Sequence, residues 1–583
     1  MKKSILICSL AAGALLASCK KQGFLDNKAD TAINETYVFT DSLRTMQFLT
    51  RVYQDVGFSF RKWRWHDHGN TEQSTDDAEY TWSGPTQTPV IIYNGSLSPS
   101  SYVNGNSALN DFWNLPYENI RRVNLLIAKL PLAPLSEGKK KRMVAEARFL
   151  RAWYYHNLLI AYGGVPLLDD QVFSLTDVVN KPRNTYAECV DYVVRELDAA
   201  AAELPAPGGY EDADHGRVTR GAALALKARL LLYAASPLFN ATQPYVGSAT
   251  EQQVKTTTYG DSAVSRWQRA AQAAEDLINT GYYSLNVDNA TAPGYGYYDL
   301  FQKRVNSEYI FFYNRPANRD WEGFYFPGGF GGSKYVFPSH NLAVAFPMSN
   351  GKAITDPASG YNAANPFANR DPRFGYSIIY NGMSIWRSGS NSKQPVWTYE
   401  GASDGNGFVA TNQNTGYFVR KMTNTENGNN TDRGWGLIRF AEILLNYAEA
   451  INETGQTALA YPKLKLIRER AGIEAGADGL YGMKANMTKE EMREFIRNER
   501  RIELAFEDHR YHDIRRWKIA MQVNNGFNDR LRIVRGGTSP NFTYTYTVVP
   551  SIRRHNFRPE HYLMPLPELE VRRMPAMVQN PGY

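Results

Sequence analysis

Apolar side chains return every three or four residues along several long stretches of this chain, and that period commits most of it to amphipathic helices. Ala147, Leu150, Tyr154, Leu158 and Ala161 form one stripe, stopped by Gly163-Gly164 with Pro166 beyond. Gly221, Ala225, Ala228, Leu232 and Ala235 form a second, small enough for a neighbouring helix to approach closely. Ser236-Pro237 ends it, because proline cannot continue the backbone ladder. A third runs through Leu437, Ala441, Leu444, Ala448 and Ile451 to a stop at Gly455. The spacing predicts helices over about 41–56, 109–130, 137–162, 185–204, 217–236, 264–280, 437–454, 456–471, 488–506 and 509–523, and an extended tail after 526. Short loops join successive helices, so each pair buries its apolar face against the next. The predicted fold is mainly α: a tetratricopeptide-like array of helix pairs.

Two stretches lose this period. Residues 57–105 and 282–434 are rich in Gly, Asn, Ser and Thr or Pro, with aromatics scattered among them. The second is too long for a structureless connection. It reads as a loop-rich, irregular subdomain carried by the helices, with short strands such as Tyr309–Tyr313. The chain has 37 Tyr, 27 Phe and 11 Trp, and those outside the periodic stretches are candidates for a recognition surface. A sugar ring offers an apolar C–H face edged by hydroxyls; an aromatic face covers the first while Asn, Asp, Arg or Gln bonds the second. The candidate ligand-binding residues are Trp63, Trp65, Asp76, Asp77 and Trp82 in the first stretch. In the second they are Arg319, Trp321, Tyr325, Trp386 and Trp397.

Other chemistry is harder to build. Glu499, Glu503 and Glu507 recur at steps of four, and a glycosidase needs two carboxylates ~5–9.5 Å apart with unlike pKa values. Arg497, Arg500, Arg501, Arg510, Arg515 and Arg516 surround them, and arginine keeps carboxylates ionised. That favours a structural ion network. His509 and His512 lack a third metal ligand, and His66-Asp67-His68 would converge only in a strand. Gly328–Gly332 lacks the Lys-Ser/Thr of a phosphate loop, and no serine has a Gly-x-Ser-x-Gly elbow. No catalytic residue, metal or cofactor is assigned. The net charge of +7 is spread without a dense basic stripe, which argues against a nucleic-acid partner. Of Cys8, Cys19 and Cys189, no pair suggests a disulfide framework.

Met1-Lys2-Lys3, the apolar run Ile5–Leu16 and Leu16-Ala17-Ser18-Cys19 have the order of a secretory signal, too short to span a bilayer. Its end resembles a bacterial lipobox, which implies cleavage before Cys19 and lipid on its thiol. Lys20-Lys21 follow, and the first acid is Asp26. Three further blocks carry a family resemblance: Glu146–Tyr155 with Tyr162–Leu167, Ile496–Glu507 with Asp513–Trp517, and the tail Tyr562–Pro567 through Gln579-Asn580-Pro581-Gly582-Tyr583. They look like the SusD/RagB family of nutrient-capturing lipoproteins, over nearly the whole mature chain.

The resemblance implies a signal peptide over 1–18, a lipidated Cys19 and linker over 19–36, and one body over 37–583 built on about four tetratricopeptide-like helix pairs. An N-terminal part would cover about 37–236 and a C-terminal part about 264–583, with a variable insert at about 282–434. It also implies a non-catalytic, lipid-anchored outer-membrane protein facing the exterior. Such a protein binds oligosaccharide and passes it to a SusC-like, TonB-dependent transporter. A secreted glycan-active hydrolase and a helical-repeat scaffold of the cell envelope are the alternatives, and a non-glycan nutrient stays open.

Overall fold

The structure is a computed structural model that describes residues 35–57, 71–82, 84, 87–102, 107–174 and 177–583. Cys19, Trp63, Trp65 and His66-Asp67-His68 lie outside the described residues.

Helices α1 (Ser42–Tyr53), α2 (Ser107–Lys129), α3 (Glu137–Tyr162), α4 (Tyr186–Glu203), α5 (Arg220–Ala235) and α6 (Val264–Asn279) follow the predicted stretches closely. Their starts are written in the sequence. Asp41, Ser136, Thr185 and Thr219 each cap a first turn by accepting a backbone N–H, and Thr185 forms a capping box with Glu188. Gly163 stops α3 at φ +79°, where a β-carbon would meet the Thr256 carbonyl at 2.6 Å. In the array α2 packs on α3, α3 on α4, α4 on α5 and α5 on α6.

The chain then leaves the array and returns at α7 (Phe440–Glu453), which packs directly against α6. Helices α8 (Tyr461–Arg470) and α9 (Lys489–Glu503) both pack on α7, and α10 (Arg510–Arg516) follows. One apolar core runs through the whole array, from Leu49 and Leu126 through Phe149, Leu158 and Leu232 to Leu444 and Ile496. Buried charges pin its layers. Glu146 accepts from Tyr53 Oη at 2.7 Å and pairs with Arg217 at 3.0 Å, while Arg151 bonds Glu196 on α4 at 2.8 Å. The C-terminal tail closes on the end of α3, where Asn580 donates to the Tyr162 carbonyl at 3.1 Å.

Residues between α6 and α7, joined by one strand from the first loop stretch, build small antiparallel pairs. Strand β1 (Ala78–Tyr80) pairs with β3 (Val336–Pro338), and β2 (Tyr309–Asn314) with β8 (Gly434–Arg439). Strand β4 (Ile378–Ile379) pairs with β7 (Phe418–Val419), and β5 (Ser384–Arg387) with β6 (Ser392–Pro395). A second core forms around Tyr297, Phe301, Trp321, Tyr325, Phe374 and Trp435.

Three expectations need correction. Leu437 belongs to β8 and not to the α7 stripe. The single helix expected over 509–523 is α10 plus a separate turn at Ala520–Val523, because Lys518 sits at φ +59°, which ends a helix. The tail is not merely extended. It opens with a long hairpin, β9 (Asn525–Thr538) and β10 (Asn541–Asn556), whose Leu531 and Ile533 are buried in the second core. Among the described residues no helix is long and apolar enough to cross a membrane.

Candidate ligand-binding surface

The acids of α9 meet the loop-rich half, not a ligand. Arg439, at the end of β8, bonds Glu308 at 2.7 Å, Glu503 at 2.7 Å and Glu507 at 2.6 Å. Arg470 from α8 also bonds Glu503, and Arg373 reaches Glu503 at 2.9 Å and Glu499 at 2.7 Å. All these side chains are buried. Burial by itself raises the Glu503 carboxyl, but Arg470, Arg439 and Arg373 outweigh it and hold it far below the usual range. Glu499 and Glu507 are lowered against the same burial, by Arg373 with Arg468 and by Arg439 with Lys421. Ionised, saturated carboxylates hold no proton to give, so this cluster is a joint between helices and loops.

A second clamp holds the first loop. Thr71 donates to Asp508 through its backbone N–H at 2.9 Å, and Asp508 N–H donates to Glu72 at 2.8 Å. Arg510 forks onto Asp76 at 2.9 and 2.6 Å, and Arg501 bonds Asp77 at 2.6 Å and Asp76 at 3.0 Å. Burial pushes the Asp76 carboxyl up, yet Arg510 and Arg501 bring it down to about 2. For Asp77 burial wins and the carboxyl is raised. Asp76 and Asp77, expected to bond a ligand, are instead 5% and 0% exposed and spent on arginines. Their work is positional. They seat β1 beside β3, and the chain leaves β1 through Thr81 into Trp82.

Trp82 is 45% exposed, the one exposed tryptophan among the described residues. Its ring meets Tyr335 edge-on at 5.7 Å, and Tyr335 meets Phe324 at 6.3 Å. Two backbone bonds fix this seat: Thr81 N–H to the Tyr335 carbonyl at 3.1 Å, and Tyr335 N–H to the Phe324 carbonyl at 2.9 Å. Tyr335 and Phe324 are half-buried, so the cluster presents ring edges and faces on a fixed backbone. It also joins the two loop stretches that the sequence sets about 250 residues apart.

The other candidates divide. Phe324 leads inward to Trp321 at 5.8 Å, and Trp321 packs against Tyr325 at 4.8 Å and Trp435 at 4.3 Å. Trp321 and Tyr325 are 3% and 2% exposed, so they are the floor under the surface cluster and not faces that a ligand meets. Arg319 and Trp386 come together at one loop: Arg319 donates to the carbonyls of Asn427 at 2.8 Å and Asn429 at 3.1 Å, and the Trp386 ring lies against Gly428. Both are half-buried. Trp397 stands elsewhere, half-buried beside the hairpin, its ring 12° from parallel to Tyr544 at 6.0 Å.

Sequence reasoning missed Tyr335, Phe324 and the hairpin aromatics. For the hairpin a signal was present: Phe542, Tyr544 and Tyr546 alternate with Thr543, Thr545 and Thr547, the period of a strand with two unlike faces. Tyr335 and Phe324 carry no such period, because their approach to Trp82 is set by long-range pairing of β1 with β3.

The histidines are core groups. Burial lowers His512 to about 3 and puts His509 well below its ordinary value, with neighbouring arginines adding to both. Together with His156 they line a cavity of about 80 Å³. Among the described residues no group of three or more His, Cys, Asp or Glu could hold a metal ion. Cys189 is buried and unpaired, its thiol pushed up to about 12 by burial.

Comparison with known proteins matches this architecture throughout. Residues 301–583 match the model of the SusD family, and residues 23–232 match a model described as starch-binding associating with outer membrane. SusD-like protein P2 of Formosa agariphila is 24% identical over 484 residues, covering 82% of this chain and 81% of that protein. A SusD-like protein of Bacteroides fragilis superposes with a TM-score of 0.72 at 24% identity, over 94% of this chain and 98% of the other. A second structure from the same species, described as a SusD-like carbohydrate binding protein, gives 0.70 at 23% identity over 92% and 99%. Helix array, loop-rich half and closing tail thus recur together, and the chain belongs to the SusD family.

Proposed function

We propose that this chain is a non-catalytic, lipid-anchored protein on the outer face of the outer membrane, which binds oligosaccharide and delivers it to a SusC-like, TonB-dependent transporter. The observation that carries the reading is Trp82, an exposed indole held on Tyr335 and Phe324 by backbone bonds and an ion-paired clamp behind it. A sugar ring stacks on the indole, and its hydroxyls bond polar groups around the rim. Half-buried Arg319 and Trp386, which meet at the loop around Gly428, supply further contacts of that kind. Release needs no chemical step, and the most conspicuous acids are locked in the joint. The family description as starch-binding and outer-membrane associating supports both the ligand class and the location. Lipid on Cys19 anchors the chain: one acyl chain holds weakly and two or more hold firmly, at ~0.8 kcal/mol per buried CH₂.

A glycan microarray probed with the wild type and Trp82→Ala tests the binding, with a reducing-end assay on the same glycans. The reading expects binding that Trp82→Ala abolishes or weakens, and no release of reducing ends. Sustained release would make the protein a hydrolase, and undiminished binding by Trp82→Ala would move the site. Co-purification of a large β-barrel with the lipidated chain tests delivery; its absence under mild detergent would remove the transporter from the account.

A further inference from the structure

On the hairpin two aromatic rings hold a cation that no acid answers among the described residues. Arg535 lies directly opposite Tyr544 in the β9–β10 register, so both side chains leave the same face. Its guanidinium sits 4.2 Å from the centre of the Tyr399 ring and 4.5 Å from that of Phe542. Contacts of this kind fix a side chain that would otherwise sample many rotamers. The residue is exposed, and among the described residues no carboxylate pairs with it. Arg532, three residues earlier on the opposite face of the same strand, shows the contrast: it donates to Glu400 at 2.8 Å.

The surroundings suit a ring-bearing ligand. Trp397 and Tyr544 lie 12° from parallel with centroids 6.0 Å apart, Tyr399 stands 6.0 Å from both, and Phe542 is 39% exposed. Gly537, opposite Phe542, adds no side chain to crowd this face. Glu400, the residue after Tyr399, is already engaged by Arg532. A guanidinium keeps its charge at every working pH and presents a planar fork of donors that fits carboxylate and sulfate oxygens two at a time. Because its position is already fixed, little ordering cost is left for the ligand to meet.

We propose that this face of the hairpin is a subsite for a sugar ring carrying an anionic group, a carboxylate or a sulfate ester, with the ring against Trp397 and Tyr544 and the anion on Arg535. The proposal rests on the reading that the chain binds glycans and adds the charge of the ligand to it. The subsite is separate from the Trp82 cluster in its residues, so the two can be disabled one at a time.

Calorimetric titration of the purified full chain with length-matched neutral, uronate-containing and sulfated oligosaccharides tests it, using wild type, Arg535→Gln and Arg532→Gln. The expected result is binding of the uronate or the sulfated set, weakened about 10- to 100-fold in Arg535→Gln and by less than about threefold in Arg532→Gln. The set that binds identifies the anion. Equal loss in both variants would mean unspecific charge attraction and would overturn the proposal, as would undiminished binding by Arg535→Gln. Wild-type binding to neutral glycans alone would overturn it while leaving the glycan reading intact. No binding to any of the three sets would count against both. Unchanged melting temperatures confirm that the variants are folded, which is expected because both positions are exposed.

Discussion

The joint between helices and loops and the outer face of the hairpin use the same arginines and aromatics to opposite ends. At the joint Arg439, Arg470 and Arg373 are buried, and Glu308, Glu503 and Glu507 answer them almost atom for atom. On the hairpin Arg535 is exposed and held by rings, and among the described residues no carboxylate pairs with it. The aromatics divide in the same way. Trp321 is packed between Tyr325 and Trp435, while Trp82 stands with nearly half its surface in solvent. Residue type therefore says little here about role. What separates a strut from a contact surface is whether the neighbours have already used up its bonding capacity.

Substitutions can break this contrast in order of size. Glu503→Ala removes a partner shared by three buried arginines, leaving each with one acid fewer and the joint with excess buried positive charge, and is expected to cost about 3–5 kcal/mol. Urea denaturation measures it, and a cost under about 1 kcal/mol would mean that the joint does not hold the two halves together. Trp321→Ala empties the floor beneath the surface cluster and is expected to cost about 3–5 kcal/mol, read in the same experiment.

Acid is expected to loosen the first-loop clamp. The Asp76 carboxyl is about 2 in the fold against an ordinary ~3.9, so its contribution is complete above about pH 4 and drains as the pH falls toward 2. The size is about 2 kcal/mol. Asp77 acts in the opposite sense, since its raised carboxyl takes up a proton sooner in the fold than in the unfolded chain. Stability curves of the wild type and Asp76→Asn from pH 6 to 2 are expected to converge in acid. Parallel curves would contradict the assignment.

Trp82→Ala is the smallest in stability, within about 0.5 kcal/mol, because the ring is exposed. Its expected mark is on ligand affinity alone.

The helix array was largely legible from the chain itself. A 3.6-residue period, polar caps such as Thr185 and Gly stops such as Gly163 are local signals, and α3 lies where they put it. The joint was legible in kind, since the acids of α9 and their arginines are neighbours in sequence, although the partners Glu308, Arg373 and Lys421 were not visible there. The candidate surface was legible only in part. Trp82 and Trp321 are both aromatics on irregular stretches, and the same local composition surrounds both. Only the β1–β3 pairing and the packing of Trp435 separate exposed from buried. Asp76 and Asp77 were misread for the same reason, because Arg501 and Arg510 lie more than 400 residues away.

The central claim is that an exposed ring, seated by a clamp of buried ions, grips a carbohydrate. Calorimetric titration of the oligosaccharide that binds the wild type best into Trp82→Ala tests it most directly. The account predicts a loss of about 1–3 kcal/mol in binding, by analogy with the stacking of bases on aromatic side chains, at an unchanged melting temperature. Wild-type affinity in that variant, with its fold intact, would contradict it.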